Sequence, residues 1–425
     1  MQMKTLVLGV AATLAAPSAF ATLTPEAVPG VQKIVMSGAS APEGFIESAV
    51  IEMLQPGYKT YRDNAAATLA FQHRAWYGLA KAGITGVTAG TPILFVWRSK
   101  GGSVWGVDPV ARASRIESLN FASCGMGGAA AGDGGKVYDY FCPTKGLDPH
   151  NPNFTNPALN NGVPSDMGVS DVSPGLFQAP YSVAYGTTGG VTQAELAKLT
   201  IKPVNTLIMG IVATNDVPLT TGLSRTDYGN MLMGYIQDWT QVDATLGGNT
   251  QVVICRRVNG SAIQAAYNWY FNNFPCQSAF NGAQAPASMY TDNASGIVSG
   301  IGTEADPFVI DPTQGYTVVN NSTSVDVRNC LKNAQNHVDH KIKADDGKWY
   351  LVKFSNSVDP FKAIGVLSGD SYGSESGWTY RNIYGAGSFA PTTQTGSAGN
   401  TGVQPSKINL LTHFWDFAAE RTMQY

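Results

Sequence analysis

The sequence predicts an α/β protein with mainly parallel sheets flanked by helices, and three observations carry that prediction. Continuously apolar runs of strand length recur, as in Pro92–Arg98 (PILFVWR) and Leu207–Ala213 (LIMGIVA), and strands buried on both faces read this way. Gly- and Ser-rich turns follow several of these runs. Helix-like segments then follow the turns, so that strand, turn and helix succeed one another. The 425 residues carry no internal repeat of the kind that marks solenoids or propellers.

Taken in order, Lys33–Ser37 is a short strand that leads through Gly38-Ala39 into a helix ending before Pro56-Gly57. Ser40 and Glu43 have the spacing of a capping box, which places the helix start at Ser40. Pro92–Arg98 is the next buried strand, with Lys100-Gly101-Gly102-Ser103 as its turn. Residues 123–164 are rich in Gly, Asn and Pro and read as an inserted, ordered surface loop. Its Gly135-Lys136 is not a phosphate loop, because Ala130 stands where the first Gly must be and Val137 where Ser or Thr must bind magnesium. Met167–Ser170 is a strand running into the short polar residues Asp171-Val172-Ser173-Pro174. Leu207–Ala213 is a strand, Thr226–Gln237 a helix, and Gln251–Cys255 a further strand. Arg256-Arg257-Val258-Asn259-Gly260-Ser261 then turns the chain into an apolar-periodic helix. Ala363–Leu367 is one more strand, and 388–406 a loop.

The turn at 256–261 is where chemistry is expected. The first N–H groups of a helix have no internal partner, and the helix dipole favours negative charge there. Arg257 adds a planar, permanently charged donor. Ser261 and Gln264 also have capping-box spacing, which would make Ser261 a plain N-cap.

Lys4, the apolar run Thr5–Ala16 and Ala19-Phe20-Ala21 have the form of a signal peptide, so the mature chain is expected to begin at Thr22. No Cys stands at the cleavage point for a lipid anchor, and no later run has the roughly 20 apolar residues of a membrane span. Without Lys4, 26 basic residues face 30 acidic ones, with no basic block among aromatics, so nucleic acid is not an expected partner. Five cysteines in an exported chain point to disulfides. Proximity suggests Cys124–Cys142 and Cys255–Cys276, with Cys330 left over; Cys276–Cys330 fits spacing equally well. There is no C-x-x-C for zinc.

Four segments, in order, resemble the periplasmic phosphate-binding proteins of ABC-type transporters, a branch of the two-lobed type-2 periplasmic-binding fold. Ser37-Gly38-Ala39-Ser40-Ala41-Pro42 looks like the family's first Gly/Ala-rich loop, and Lys100-Gly101-Gly102-Ser103 is similar to its second. Val169-Ser170-Asp171-Val172-Ser173 resembles its G-A-S-D-A-P turn, and Arg256–Ser261 its R-R-x-D-G-S-G-T motif. Tyr235–Val242 resembles a family helix ending in Trp, and Ala363-Ile364-Gly365 a family strand. The chain departs from the pattern at Asn259, where the family has the Asp that braces the arginine, and at Ala262-Ile263, where it has Gly-Thr. One lost hydrogen bond to a buried anion costs about 1–3 kcal/mol.

The resemblance implies a cleft between two lobes, lined by Ser40, Ser103 and Asp171 from lobe one and Arg257 and Ser261 from lobe two. It places lobe one at residues 22–206 plus 407–425 and lobe two at 207–406. Asp171, an acceptor when ionised, would select an oxyanion that still carries a proton and reject sulfate. The expected ligand is a small oxyanion, phosphate first, with an ABC-type inner-membrane permease as the implied partner; no cofactor or metal is expected, and the chain is expected to be monomeric, periplasmic or secreted.

Two other classes compete. An exported binding fold with a surface or scavenging role would bind no anion tightly. A serine hydrolase would use Ser371 in Gly369-Asp370-Ser371-Tyr372-Gly373, with Glu375 and His413, but a nucleophile elbow must run into a helix and Gly373–Gly377 has loop composition. His337 and His340, three apart among Asn, Lys and Asp, read as a solvated helix face rather than metal ligands. The Trp and Tyr residues read as core and cleft wall, with sugar stacking as the alternative.

Overall fold

The computed structural model describes residues 24–63, 71–147, 151, 153–183, 189–274, 297–344, 347–387 and 402–425. The expected leader at 1–21, Cys276 and most of the 388–406 loop lie outside these residues.

The first half of the chain contributes β1 (Gln32–Gly38), α1 (Glu43–Met53), β2 (Lys59–Asp63), β3 (His73–Leu79), β4 (Pro92–Arg98), β5 (Gly125–Met126), β6 (Tyr140–Cys142) and β7 (Met167–Ser170). The second half contributes β8 (Ile201–Thr214), α2 (Arg225–Leu232), β9 (Asn249–Arg257), α3 (Ala262–Asn272), β10 (Thr317–Asn321), α4 (Ser324–Gln335), β11 (Phe361–Ser368), β12 (Trp378–Tyr380) and β13 (Ala418–Gln424). All thirteen strands belong to one mixed sheet, ordered β10-β9-β11-β8-β13-β7-β1-β4-β3-β2-β6-β5, with β12 on β8. β4, β1 and β7 are parallel, as are β10, β9 and β11, whereas β8 and β13 run antiparallel to their neighbours.

β8 joins the halves. Its residues 201–208 pair with β13, and 209–213 with β11. The boundary expected at 206/207 therefore falls inside a strand, where the backbone passes without interruption from one half of the sheet to the other.

The apolar runs are explained by burial on both faces. On β4, Ile93, Phe95 and Trp97 pack with Ile46 and Val50 of α1, while Leu94 and Val96 pack on the other face with Tyr61 and Leu119. Ile46 and Val50 lie one turn apart, so they share the helix face turned to the sheet. In the second half α4 packs on the face of β9 and β11 that carries Cys255, and Cys255 bonds Cys330. The pairings suggested by proximity, Cys255–Cys276 and Cys276–Cys330, are thereby corrected, while Cys124–Cys142 forms as expected. Sequence distance misled because the sheet and α4 bring together residues 75 apart.

Residues 123–164 are more than a surface loop. β6 adds to β2 in parallel and β5 to β6, extending the sheet edge. Asp133 from the same segment has a side chain only 4% exposed and accepts from Arg62 Nη1 at 2.9 Å and from the Phe71 N–H at 3.2 Å. The helix expected over Thr226–Gln237 stops at Leu232, and Trp239 lies on a separate turn with its indole N–H donated to the Lys362 carbonyl at 2.7 Å.

Candidate functional site

Six strands from the two halves end at one place. β1 leads to Ser40, β4 to Ser103, β7 to Asp171, β9 to Arg257 and Ser261, β10 to Thr323 and Ser324, and β11 to Ser368 and Asp370. In open α/β sheets the carboxyl ends of strands are where ligands collect, because the turns there present side chains and helix N-termini to one crevice.

The loops after β4 and β9 touch directly. The Val104 N–H donates to the Gly260 carbonyl at 2.9 Å. Gly102, at φ +89°, lies so close that a Cβ there would stand 2.9 Å from Ser261 Cα. Any side chain at 102 would push the loops apart, which accounts for glycine at that position. The Ser103 hydroxyl receives the Asp171 N–H at 3.4 Å. Ser103, Asp171, Arg257 and Ser261 are thus gathered into one buried cluster, each at most 3% exposed.

Arg257 is held by its own half. Its guanidinium donates to the carbonyls of Asn321 at 3.3 Å and Ser322 at 2.8 Å and to the Ser324 hydroxyl at 3.1 Å. These acceptors replace the carboxylate brace that Asn259 lacks. Asn259 is occupied elsewhere, accepting from the Gln264 amide. Arg256 points to the other face of β9, toward Tyr228 and Tyr267, and donates to Asn320 Oδ1 at 2.6 Å.

Both capping boxes expected from spacing are absent. α1 begins at Glu43 with Pro42 at its N-cap, because the Glu43 carboxylate pairs with Arg74 of β3 at 3.0 Å instead of reaching back to the backbone. Ser261 is the N-cap of α3 by position, yet its hydroxyl makes no capping bond, and the Gln264 side chain goes to Asn259. The hydroxyls of Ser40 and Ser261 are buried without a hydrogen-bond partner, as is that of Ser368. An unsatisfied buried polar group costs about 1–3 kcal/mol, so three at one crevice call for a reason.

Asp171 does not stand alone. Arg421 of β13 donates from Nε to Asp171 Oδ1 at 2.6 Å and from Nη2 to Asp370 Oδ2 at 2.8 Å, so one arginine ties together acids from both halves. Burial pushes the Asp171 carboxyl above its ordinary range, against the pull of Arg421 and of Arg257. Sequence reasoning missed Arg421, because AAERTMQ has no strand pattern of its own. Ser324 and Thr323 were legible in principle, since Thr323-Ser324-Val325-Asp326 makes a true capping box after an apolar run.

Ser40, Ser324, Ser368, Asp370 and Ser371 line a cavity of ≈ 490 Å³ between the halves. Ser371 lies on a short 3₁₀ turn, Gly369–Ser371, which continues into the non-helical stretch Tyr372–Gly377. The elbow geometry of a hydrolase is therefore missing. His337 and His340 share no helix face, for α4 ends at Gln335 and His340 opens the strand His340–Lys343. Among the described residues no group of three or more His, Cys, Asp and Glu side chains is arranged to hold a metal ion.

His340 is buried rather than solvated, and it supports the carbonyl-rich turn that holds Arg257. Its Nε2 lies 3.0 Å from Asn321 Oδ1 and its Nδ1 3.4 Å from the Asn333 amide, an arrangement that suits the neutral ring with its proton on Nε2. Burial pushes its pKa down to about 4. The unfolded chain then binds the extra proton first, so native stability falls as pH drops from about 6.5 toward 4, by at most about 3 kcal/mol. His340→Asn is expected to flatten that part of the pH profile in urea unfolding. An unchanged slope between pH 6.5 and 4 would assign it to other groups.

No family model matches the chain, and no curated protein matches it. Among solved structures, similarity extends to one from Clostridium perfringens, provisionally described as a phosphate ABC transporter substrate-binding protein with bound phosphate. It is 11% identical with a TM-score of 0.40, over 93% of this chain and 86% of that one. An ABC-type phosphate transport receptor from Vibrio cholerae is 10% identical, TM-score 0.35, over 93% and 87%. A human phosphate-binding apolipoprotein is 11% identical, TM-score 0.39, over 92% and 80%.

Proposed function

We propose that the protein is an exported solute-binding protein that captures a small oxyanion, phosphate first, at the crevice between its two halves. The observation that carries this reading is the Ser261 hydroxyl, 1% exposed and unpartnered at the start of α3, in one cluster with Arg257 and Asp171. An anion there would accept from Ser261, from the first N–H groups of α3 and from Arg257. Arg421 engages Asp171 at Oδ1, so a ligand proton would be accepted at Oδ2. That acceptor suits hydrogen phosphate or arsenate and opposes sulfate. Two disulfides support export, and an ABC-type permease remains the proposed partner of a monomeric chain. The 3₁₀ turn at Ser371 lacks a nucleophile elbow, which counts against the serine-hydrolase reading.

Calorimetric titration tests the proposal. Phosphate and arsenate are expected to bind saturably at one site, with sulfate silent at the same concentrations. Equal binding of sulfate would remove Asp171 from the selective role. Silence with all three would favour an exported fold with a surface or scavenging role.

A further inference from the structure

The ≈ 490 Å³ cavity is too large for the ligand just proposed. A water's share of liquid volume is about 30 Å³, so an anion of five non-hydrogen atoms fills at most about 150 Å³. Cavities of about 300–1,000 Å³ hold organic molecules. This cavity adjoins the anion cluster across Ser324, which lines it and accepts from Arg257 Nη1 at 3.1 Å.

Its walls have a distinct chemistry. Ser40 and Ser368 line it, each with its hydroxyl oxygen buried and without a hydrogen-bond partner, and Ser368 is 1% exposed. Four carboxylates, Glu43, Glu47, Asp133 and Asp370, line it as acceptors. Arg74 is shared by the first three at 3.0, 3.2 and 3.7 Å, Lys136 also pairs with Glu47, Arg62 with Asp133 at 2.9 Å and Arg421 with Asp370 at 2.8 Å, so that paired acids offer acceptors to neutral hydroxyl donors. Phe71, with the Arg74 guanidinium 3.5 Å from its ring centre, also lines it. Arg328, one turn after Ser324 on α4, also lines the cavity, and among the described residues no carboxylate oxygen lies within 4.0 Å of it. The wall thus has one cation, Arg328, whose charge also acts on Asp326, and hydroxyl-accepting groups beyond it.

We infer that the crevice takes a phosphate monoester of a hydroxyl-rich organic group, its phosphoryl end toward Arg257, Ser261 and Arg328 and its hydroxyls against Ser368, Glu43 and Asp370. This rests on the oxyanion reading and narrows it to a substrate class.

Gly44 makes the test sharp. It lines the cavity, and a Cβ built on it meets nothing within 4 Å, so Gly44→Trp fills cavity space while replacing a weak helix former. The full chain and this variant are titrated with inorganic phosphate, glycerol 3-phosphate, glucose 6-phosphate and glucose. At least one ester is expected to bind ten-fold or more tighter than inorganic phosphate, with glucose silent. Gly44→Trp is expected to weaken that ester at least ten-fold and leave inorganic phosphate unchanged. Inorganic phosphate binding as tightly as every ester, or an ester indifferent to Gly44→Trp, overturns the inference while oxyanion capture stands. No binding by any phosphate compound overturns both.

Discussion

Replacing Arg257 with glutamine is expected to weaken phosphate binding by about 2–4 kcal/mol, roughly thirty- to a thousand-fold. Arg257 is 3% exposed and its guanidinium donates to Asn321, Ser322 and Ser324, so its charge is held in one orientation beside Ser324, which lines the crevice. Glutamine keeps part of the polarity and loses the charge. Some stability will go as well, because buried carbonyls lose a donor, and the unfolding midpoint must be read beside the affinity. Arg256→Gln is the control. That side chain lies on the opposite face of β9 with Asn320 as its partner, and its removal is expected to change affinity less than three-fold by the same scale of magnitudes. Loss of binding at Arg256 with retention at Arg257 would put the anion on the wrong face of the sheet.

The second large effect concerns the Cys255–Cys330 bond. It closes a loop of 75 residues, and the chain-entropy account assigns such a crosslink about 4 kcal/mol. Both half-cystines are fully buried, so a double alanine variant also leaves unfilled space. Urea unfolding of Cys255→Ala/Cys330→Ala is expected to shift the midpoint strongly downward. The Cys124–Cys142 bond closes only 18 residues and should be worth about 3 kcal/mol on the same account. Alkylation before reduction is expected to label Cys276 alone. A labelled Cys330 peptide would refute the pairing.

How much was legible in sequence differed by the range of the interaction. β4 was readable to the residue, because burial on both faces writes itself as an unbroken apolar run. Arg257 and Ser261 were readable as a strand, turn and helix start. Local motifs failed where another partner displaced the expected one: Arg74, on a different strand, draws Glu43 away from Ser40, and the nearby Asn259 takes the Gln264 amide. Cys330 and Arg421 could not be placed, since nothing near either residue in sequence encodes what it meets across the sheet. Asp171 was singled out, but its permanent partner, 250 positions later, was not.

That partner has a consequence in time. A growing chain emerges from its N-terminal side, so Asp171 and Asp370 both exist before Arg421 does. Until β13 arrives, β7 and residues 201–208 of β8 lack a neighbour, and two acids from opposite halves have no cation between them. Much of the core is shared, with Val104, Val107 and Val172 in one cluster with Ile211, Val253 and Ile263, yet the seam lacks its last strand and its bridging charge until then. β13 is therefore the last piece of the seam to be made: it fills both strand edges and brings the one arginine that bonds both acids.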